Sequence, residues 1–561
     1  MAATVQVEIE RKYEVQEGSE VPPLDGVLDG VVETRHPAAR LTAVYYDTDD
    51  GRLGRHLIVL RRREGGYDEG WHTKSSEAGH RLETHWPLTA ADAGIPEEVL
   101  DTVRVHVRDR ELSPLARIET ERTVIRLAVD GVDVAEIADD LVTATDVRAG
   151  IVRSWREWEA ELVTATHPDD DDPQLDGRVL LDAIEKRLRS AGATPSPSPA
   201  KLARALGLGS LDASSSAGSE SAVMGSSHGS HGGHGSHGSH GGHGSHGTSH
   251  GTRGRADVQL PPELAPGSAG AAIMTAFSGL VDALVAADPA ARRDDEDAVH
   301  AMRTVVRRLR SLLASYRKLF DDDTVIELRH RLRVLGATLG DVRDLEVRAD
   351  RARTIIGAAP GELVDDPAQH RVVAGDAHDA AHERLRGALS ADYYFRLLDA
   401  LDAVVAAPPL SRRARRPVTG EFRRDIHRSA RRVERRIQAL SSPLTIAAFE
   451  AADPATLHEL RKSARRLRYA IEVALDVAPD HFGKKYRRTA DAAEAVQDAL
   501  GGHRDDTLLA ESVLIEARRS EAASEPAFAY GLLYAAATAS AAESLGEARG
   551  AVRELAKLLD S

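Results

Sequence analysis

The segment Glu8-Ile9-Glu10-Arg11-Lys12 places two carboxylates and an ammonium group at alternate positions. On an extended strand, alternate side chains share a face, so Glu8, Glu10 and Lys12 point the same way while Ile9 points oppositely. Carboxylates beside an ammonium group on one face suit a metal-bound polyanion. The ordinary alternative is the solvated face of an edge strand, and the recurrence of the pattern downstream favours the binding site.

Glu157, Glu159 and Glu161 repeat the alternation in a later segment, and Arg61 and Arg63 share a face in an earlier one. Burying so many like charges would cost many kcal/mol unless carboxylates met cations and guanidinium groups met anions. A divalent metal together with a chain of phosphates satisfies both needs. Because the donors are oxygens, with no nearby histidine or cysteine, they favour Mg²⁺ or Mn²⁺ over Zn²⁺.

Eight segments before residue 210 have the composition and alternation of strands, and two have the period of helices. The predicted strands are Val5–Val15, Thr42–Tyr46, Leu57–Arg63, Gly70–Lys74, Arg81–Trp86, Leu115–Leu127, Val132–Ala138 and Trp155–Val163, and the predicted helices are Ala90–Val103 and Leu180–Ala191. Antiparallel strands with charges on one face predict a barrel with a polar interior.

The charged segments follow one another as Glu8-x-Glu10-x-Lys12, Tyr46-Asp47-Thr48, Leu60-Arg61-x-Arg63, Thr73-Lys74, Trp158-Glu159-x-Glu161-Leu162 and Ser198-Pro-Ala-Lys201. Over residues 1 to about 207 this order resembles the CYTH family, also called triphosphate tunnel metalloenzymes. The resemblance implies an eight-stranded closed tunnel that holds a triphosphate. The family includes tripolyphosphatases, thiamine triphosphatases, RNA triphosphatases and a class of adenylate cyclases.

The resemblance also implies roles for individual residues. It makes metal ligands of Glu8, Glu10, Glu159 and Glu161, with Glu157 as a further member, and phosphate contacts of Lys12, Arg61, Arg63, Lys74 and Lys201. Glu8, Glu10, Lys12, Arg61, Arg63 and Lys74 are the expected catalytic set, with Mg²⁺ or Mn²⁺ as cofactor. Arg117 and Arg122 both resemble later basic positions, but their opposite strand parity allows only one to face the lumen without a bulge. Asp139 or Asp140 resembles a further acidic position.

Residues 210–258 consist largely of glycine, serine and histidine and have almost no apolar side chains, so we expect a flexible tether. Its histidines could bind zinc or nickel. They are His228, His231, His234, His237, His240, His243, His246 and His250. A low-complexity linker is the favoured interpretation, because no carboxylates fix a coordination geometry.

After the tether the apolar period becomes helical, and one basic motif occurs twice. The motif is His300-x-x-Arg303-x-x-x-Arg307-Arg308-x-Arg310 and again His458-x-x-Arg461-x-x-x-Arg465-Arg466-x-Arg468, an offset of 458 minus 300, or 158. A Leu-Gly-x-x-Arg-Asp motif follows each copy, ending at Asp344 and Asp505, an offset of 161. The two similar offsets indicate a duplicated unit. Helical breaks are expected at 321–323, Pro360, 408–409, Pro454 and 501–502.

In each copy the histidine and arginines fall in a stripe roughly 80° wide, opposite an apolar face. Like charges at this spacing repel, so an anion is expected across from them. Two such helices facing each other across a pseudo-twofold axis would line one basic groove. Residues 262–555 resemble the CHAD family, which implies that His300, Arg303, Arg307, Arg310, His458, Arg461, Arg465 and Arg468 bind inorganic polyphosphate. Nucleic acid is a weaker partner, because few aromatic residues are interleaved to stack on bases.

The chain therefore predicts an α+β multidomain protein with three regions: a CYTH tunnel barrel at 1–209, the linker at 210–258 and an all-α duplicated CHAD bundle at 259–561. The formal net charge is −16, but arginine-dense helices and Asp-rich stretches are segregated, so local patches decide binding. The chain has no cysteine, and we find no apolar run near membrane length. We expect a soluble cytoplasmic protein, associated with polyphosphate granules and not with a membrane.

The expected function is metal-dependent hydrolysis of tripolyphosphate or a related short phosphoanhydride, while the CHAD domain binds polyphosphate. Two alternatives remain open at this point. One is a non-enzymatic polyphosphate-binding scaffold, and the other is an enzyme that processes a nucleotide or thiamine triphosphate.

Overall fold

The computed structural model divides the chain into two compact units, Met1–Gly254 and Arg255–Ser561. The structure describes residues 4–7, 9–77, 80–90, 92–163, 177–198, 200–208, 264–320, 322–357, 376–440 and 444–560. The predicted linker at 210–258 lies outside these residues, as does Glu8.

The described residues of the first unit form one antiparallel sheet of eleven strands. The strands are β1 Thr4–Val7, β2 Glu10–Val15, β3 Val31–Arg35, β4 Ala39–Asp47, β5 Val59–Glu64, β6 Gly70–Glu77, β7 His80–Pro87, β8 Ser113–Val129, β9 Val132–Asp146, β10 Ile151–Leu162 and β11 Thr194–Pro195. Their order is β1-β7-β6-β5-β4-β8-β9-β10-β2-β11, and β3 pairs with β8.

The N-terminal segment closes this sheet into a tunnel. β1 pairs with β7 and β2 pairs with β10, so two consecutive stretches of chain join the two ends of the sheet. Counted as one strand, β1 and β2 complete the predicted eight-stranded ring, while β3 and β11 are additions that the sequence analysis missed. The predicted single strand Val5–Val15 is therefore two strands, because the chain changes hydrogen-bonding partner between Val7 and Glu10.

Four helices in the described part of this unit are α1 Arg52–Arg55, α2 Glu97–Val107, α3 Gly177–Ser190 and α4 Lys201–Ala205. α2 begins later than predicted, since Gly94 has a positive φ and Pro96 precedes the first turn. α3 packs Leu180, Ile184 and Leu188 against the outer face of the sheet, where Trp158 and Ala160 of β10 lie. This packing leaves the alternate residues of β10 to face the lumen.

The second unit is helical throughout its described residues. Its helices are α5 Ala269–Arg293, α6 Ala298–Ser315, α7 Asp322–Gly357, α8 Asp376–Leu389, α9 Asp392–Ala406, α10 Val418–Gln438, α11 Ile446–Glu450, α12 Pro454–Val477, α13 Lys484–Ala522 and α14 Phe528–Asp560. The break predicted at 501–502 is wrong, because α13 continues through both glycines. Gly501 lies against Arg461, whose Nη2 would stand 2.7 Å from an added Cβ, so the glycine permits close packing there.

α5 corrects the expectation that the chain has no apolar run of membrane length. By length and composition alone this helix could cross a membrane, although half of its most apolar 18-residue window is buried inside the protein. Ile273, Phe277 and Val281 are fully buried, as in the core helix of a helical bundle.

Candidate functional site

Three carboxylates meet inside the tunnel, and each comes from the lumen face of a neighbouring strand. Asp140 of β9 lies opposite Glu157 of β10 in the sheet register, and Glu159 follows two residues later on the same face. One oxygen of each lies within 4.8 Å of the others, and all three side chains are buried. We call Asp140, Glu157 and Glu159 the carboxylate triad.

Three cations surround the carboxylate triad. Lys201 of α4 places Nζ 2.9 Å from Asp140, 2.7 Å from Glu157 and 2.7 Å from Glu159. Arg122 of β8 donates to both oxygens of Asp140 at 2.6–2.7 Å and to Glu159 at 2.9 Å. Lys12 of β2 contacts Glu159 and lies 2.9 Å from Glu10. Five elements, from β2 to α4, therefore build one charge network.

The cations decide the ionisation state of the triad. Burial alone would raise the pKa of Glu159, but the positive charges of Lys12, Lys201 and Arg122 outweigh burial and hold that pKa well below its usual range. Burial would also raise the pKa of Asp140, but the positive charges of Arg122 and Lys201 outweigh burial and lower that pKa. Both carboxylates are therefore ionised at neutral pH, as ligands of a divalent cation must be.

A second cluster of cations converges on Glu83 of β7. Arg61 Nη2 and Lys74 Nζ each lie 3.1 Å from its carboxylate, and His72 Nδ1 lies 2.8 Å away. Burial would raise the pKa of Glu83, but Arg61, His72 and Lys74 lower it in net. Burial lowers the pKa of His72 to about 4, so the neutral ring donates either to Glu83 or to the Asp68 carbonyl oxygen, 2.9 Å from Nε2. Glu83 thus orients two predicted phosphate-binding side chains.

Tyr45 and Arg63 extend this cluster. Burial lowers the pKa of Arg63 to about 10, with Arg61 contributing, and Arg63 pairs with Asp68 at 2.7 Å. Burial would raise the pKa of Tyr45, but the charge of Arg61 and its hydrogen bond lower it. The tunnel therefore holds guanidinium groups close enough to repel one another, which an anion between them would relieve.

The strand register settles two open alternatives from the sequence. Arg122 faces the lumen, whereas Arg117 lies on the outer face, half exposed and 3.0 Å from Glu119. The expectation that Arg117 contacts substrate is corrected accordingly, because its parity directs it outward. Asp140 faces the lumen, and Asp139 lies on the outer face, where it accepts from Arg156.

Of the remaining predicted metal ligands, the structure describes Glu10 and Glu161 but not Glu8. Glu10 and Glu161 are paired in the register of β2 and β10, on the lumen face of β10 next to Glu159. Glu8 lies outside the described residues. Sequence reasoning missed Glu83 and His72, although Glu83 lies opposite Lys74 in the β6–β7 pairing and a hairpin alignment could have found it.

In the helical unit, four arginines of the duplicated motif lie close together: Arg303 and Arg307 on α6, and Arg461 and Arg465 on α12. Burial lowers the pKa of Arg465 to about 10, with the charges of Arg307 and Arg461 adding to it. Burial also lowers the pKa of Arg461, to which Arg307 and Arg303 contribute. α6 and α12 lie side by side, with Arg308 of α6 3.9 Å from Glu472 of α12, so both copies of the motif line one surface, which we call the basic groove.

The other motif residues have different surroundings. Arg468 is neutralised by Glu472 at 2.6 Å and Glu494 at 3.0 Å. Burial lowers the pKa of Arg310, as do Arg329 and Arg333 of α7. Burial and nearby arginine charges lower the pKa of His300, and burial and Lys462 lower that of His458, so both rings are neutral at pH 7.

Models of two known domain families match the chain. A CYTH domain matches residues 6–160, and a CHAD domain matches residues 275–514. Two curated proteins of Mycobacterium tuberculosis, "Uncharacterized protein MT2285" of strain CDC 1551 and "Uncharacterized protein Rv2226" of strain H37Rv, are each 34% identical over 546 residues. Each match covers 94% of this chain and 92% of the relative. The chain belongs to the proteins that join a CYTH domain to a CHAD domain.

Solved structures resemble parts of the chain. It is similar to PptA from Streptomyces chartreusis (20% identity, 51% of this chain and 99% of that one, TM-score 0.40) and to the CHAD domain from the plant Ricinus communis (22%, 52% and 93%, TM-score 0.40). It is also similar to a putative adenylate cyclase from Bacillus halodurans (18%, 36% and 97%, TM-score 0.26).

The family assignment fixes a general chemistry. The CYTH domain is a tunnel-fold family of metal-dependent phosphoryl-transfer enzymes, and CYTH and CHAD domains are associated with the binding of triphosphate or polyphosphate. The carboxylate triad of the CYTH tunnel is a group of side chains that could hold a metal ion.

Proposed function

We propose that the CYTH tunnel hydrolyses tripolyphosphate or a related short phosphoanhydride in a metal-dependent reaction, while the basic groove of the CHAD domain binds inorganic polyphosphate. One observation carries the proposal: buried carboxylates and buried cations alternate around a single lumen. A phosphate chain needs the cations, and a divalent metal needs the carboxylates.

The donor set fits Mg²⁺ or Mn²⁺. Asp140, Glu157 and Glu159 offer only hard oxygen ligands, with Glu10 and Glu161 next to them in the strand register. A bound divalent ion would neutralise phosphate oxygens and promote ionisation of a water molecule. These carboxylates would hold it, and the lowered pKa values of Asp140 and Glu159 mean that neither of these two has to lose a proton first.

The cations of the tunnel would bind and orient the substrate. Lys12, Lys201 and Arg122 neutralise the triad, so a phosphate chain that binds would compete for the same ammonium and guanidinium groups. That exchange would release carboxylate oxygens for metal coordination, which couples the two binding events. Arg61 and Lys74, held by Glu83, would stabilise charge on the phosphoryl oxygens in the transition state.

The CHAD groove supports the second part of the proposal. The basic groove brings four arginines together, and a polyanion would relieve the repulsion among them even though Asp344 lies 3.4 Å from Arg303. Release of the counter-ions condensed on the phosphates would drive association. This domain would hold long chains, while the tunnel acts on short ones.

The test is phosphate release from tripolyphosphate, ATP, thiamine triphosphate and long-chain polyphosphate, each with Mg²⁺ or Mn²⁺ and with a chelator. We expect fastest release from tripolyphosphate and none with the chelator. Binding of phosphate chains without release from any substrate would reject hydrolysis and support a polyphosphate scaffold. Preference for ATP or thiamine triphosphate would instead assign a nucleotide or thiamine substrate.

A further inference from the structure

A cluster of nitrogen and oxygen donors in the helical unit belongs to neither the tunnel nor the basic groove. Asp294 caps the C-terminal end of α5, Glu346 belongs to α7, and His378 lies in the first turn of α8. One donor atom from each lies within 4.8 Å of the other two. Three separate helices therefore present potential ligands to one point.

The His378 ring lies beyond hydrogen-bond distance of both carboxylates. His378 Nδ1 lies 3.6 Å from Asp294 Oδ2, and its Nε2 lies 3.7 Å from Glu346 Oε1. Hydrogen bonds to nitrogen are shorter, at about 2.7–3.2 Å. A single ion would take only one of the two ring nitrogens, and one nitrogen and one oxygen of each carboxylate lie within 4.8 Å of one another, so side-chain rotation would bring the three atoms to one ion.

Neighbouring side chains orient the donors. Arg343 donates to Oε2 of Glu346 at 2.8 Å, so Oε1 is the oxygen directed to His378. His382, one turn further along α8, donates from Nε2 to the Ala291 carbonyl oxygen at 2.8 Å and lies 3.7 Å from Oδ1 of Asp294. Hydrogen bonds of this kind hold metal-ligating side chains in position.

The duplication does not explain the cluster. The offset of 161 that relates Asp344 to Asp505 relates Glu346 to Thr507, and the offset of 158 relates Asp294 to Ala452. The second copy thus lacks both carboxylates while it keeps the groove arginines. The cluster is therefore confined to the first copy.

We propose that Asp294, Glu346 and His378 bind one divalent transition-metal ion of the Zn²⁺ class. A single ring nitrogen of His378 and one oxygen from each carboxylate would be the protein ligands, and water would complete the coordination. The mixed nitrogen and oxygen donors distinguish this site from the all-oxygen tunnel site and favour Zn²⁺, Co²⁺ or Ni²⁺ over Mg²⁺. The ion would tie the start of α8 to α5 and α7.

The test uses the full chain with the eight linker histidines replaced by serine, so that the linker contributes no imidazole ligands. Zn²⁺ binding is measured by equilibrium dialysis, and Co²⁺ binding by visible absorption. Three variants are compared in this background: His378→Ala, Glu346→Gln and, as the matched control, His330→Ala, which removes an exposed histidine of α7.

The parent and His330→Ala should each bind one equivalent of Zn²⁺ that His378→Ala lacks, and Glu346→Gln should bind it at least about tenfold more weakly. The Co²⁺ bands should disappear in His378→Ala alone. Circular dichroism shows whether each variant folds. If His378→Ala does not fold, the Zn²⁺ affinity of Glu346→Gln, which conserves the shape of the side chain, tests the proposal instead. Equal binding by Glu346→Gln and His330→Ala, or no difference between His378→Ala and the parent, would overturn the proposal.

Discussion

Glu159 accepts contacts from three cations, Lys12, Lys201 and Arg122. Its removal would leave buried ammonium and guanidinium groups with fewer partners, although Asp140 still neutralises two of them. The Glu159 carboxylate neutralises the buried cations around it and would also bind the proposed metal ion. Its loss should therefore affect stability and activity together.

Glu159→Gln should lower metal-dependent phosphate release about 100-fold or more, the scale on which charged groups act at reacting centres. It should also destabilise the tunnel by about 3 kcal/mol, near the lower end for breaking a buried ion pair. Phosphate release and urea denaturation check both effects. Glu119→Gln removes an exposed carboxylate of the outer face and should change neither, whereas wild-type turnover by Glu159→Gln would contradict the site.

Both histidines of the basic groove have lowered pKa values, which gives polyphosphate binding a pH dependence with a definite sign. The rings are neutral at pH 7 and gain charge only below the ordinary pKa of about 6.5. A bound polyanion favours the charged form, so affinity should rise as the pH falls. Each new ion pair adds about 0.2–1 kcal/mol, so two pairs predict about twofold to about 30-fold tighter binding at acidic pH.

The dissociation constant for long-chain polyphosphate, measured as a function of pH at constant salt, checks this expectation. The double variant His300→Ala and His458→Ala should flatten the pH profile, and His330→Ala should leave it unchanged. Equal pH dependence in both variants would place the titrating groups elsewhere.

At the residue scale, the sequence could predict side-chain direction wherever strand parity decides it. Parity required Arg117 and Arg122 to face opposite ways, but only the packing of the outer face shows which one is inside. Glu83 escaped prediction because its role depends on Lys74 lying opposite it, and His72 because it reaches the same carboxylate from the adjacent strand. Such contacts depend on register, which a single strand does not specify.

At the scale of elements, each copy of the duplicated unit packs a glycine of one helix against an arginine of the preceding helix. Gly340 of α7 has Arg303 as its neighbour at 3.8 Å, and Gly501 of α13 has Arg461 at 2.7 Å from an added Cβ. The sequence analysis treated 501–502 as a break, since glycine weakens a helix. Close packing on the guanidinium group outweighs that propensity, and it becomes visible only when the neighbouring helix is in place.

Gly501→Ala should displace the Arg461 guanidinium group from its position and weaken polyphosphate binding several-fold, while the fold survives because the obstructing atom ends a flexible side chain. Gly340→Ala is the matched control, since its Cβ would make an ordinary contact. It should leave binding unchanged and stabilise the domain by up to about 0.5–1 kcal/mol. Titration with polyphosphate and thermal unfolding measure both effects, and equal affinities would show that the position of Arg461 is unimportant.

At the scale of the whole molecule, the tunnel and the basic groove would bind phosphate chains through separate sets of basic residues. A net charge of −16 opposes association with polyanions at long range, so binding depends on local basic surfaces and should weaken with salt. Arg303 and Arg307 come from one copy of the motif, and Arg461 and Arg465 from the other. Because the two pairs line one groove, we expect each pair to be required for full affinity for long-chain polyphosphate.

Reversal of either pair to glutamate should weaken long-chain polyphosphate binding by at least about tenfold and lower the log-log salt slope by roughly 1.5, for two phosphates no longer neutralised. Hydrolysis of tripolyphosphate should be unchanged in both variants. Binding isotherms at several salt concentrations and a phosphate-release assay measure the two properties. If one pair matters and the other is silent, the groove does not have two equivalent sides.

Closure of the tunnel by its first strands has a consequence for synthesis on the ribosome. β2 finds its partner in β10 at 151–162, and Lys12 joins a network that includes Lys201. β2 is translated first but can pair only after β10 has been synthesised. Until then, the strand edges of the incomplete sheet remain unpaired and exposed. Lys201 can join the charge network of the lumen only after α4 has left the exit tunnel, and premature termination before β10 yields an open sheet prone to aggregate.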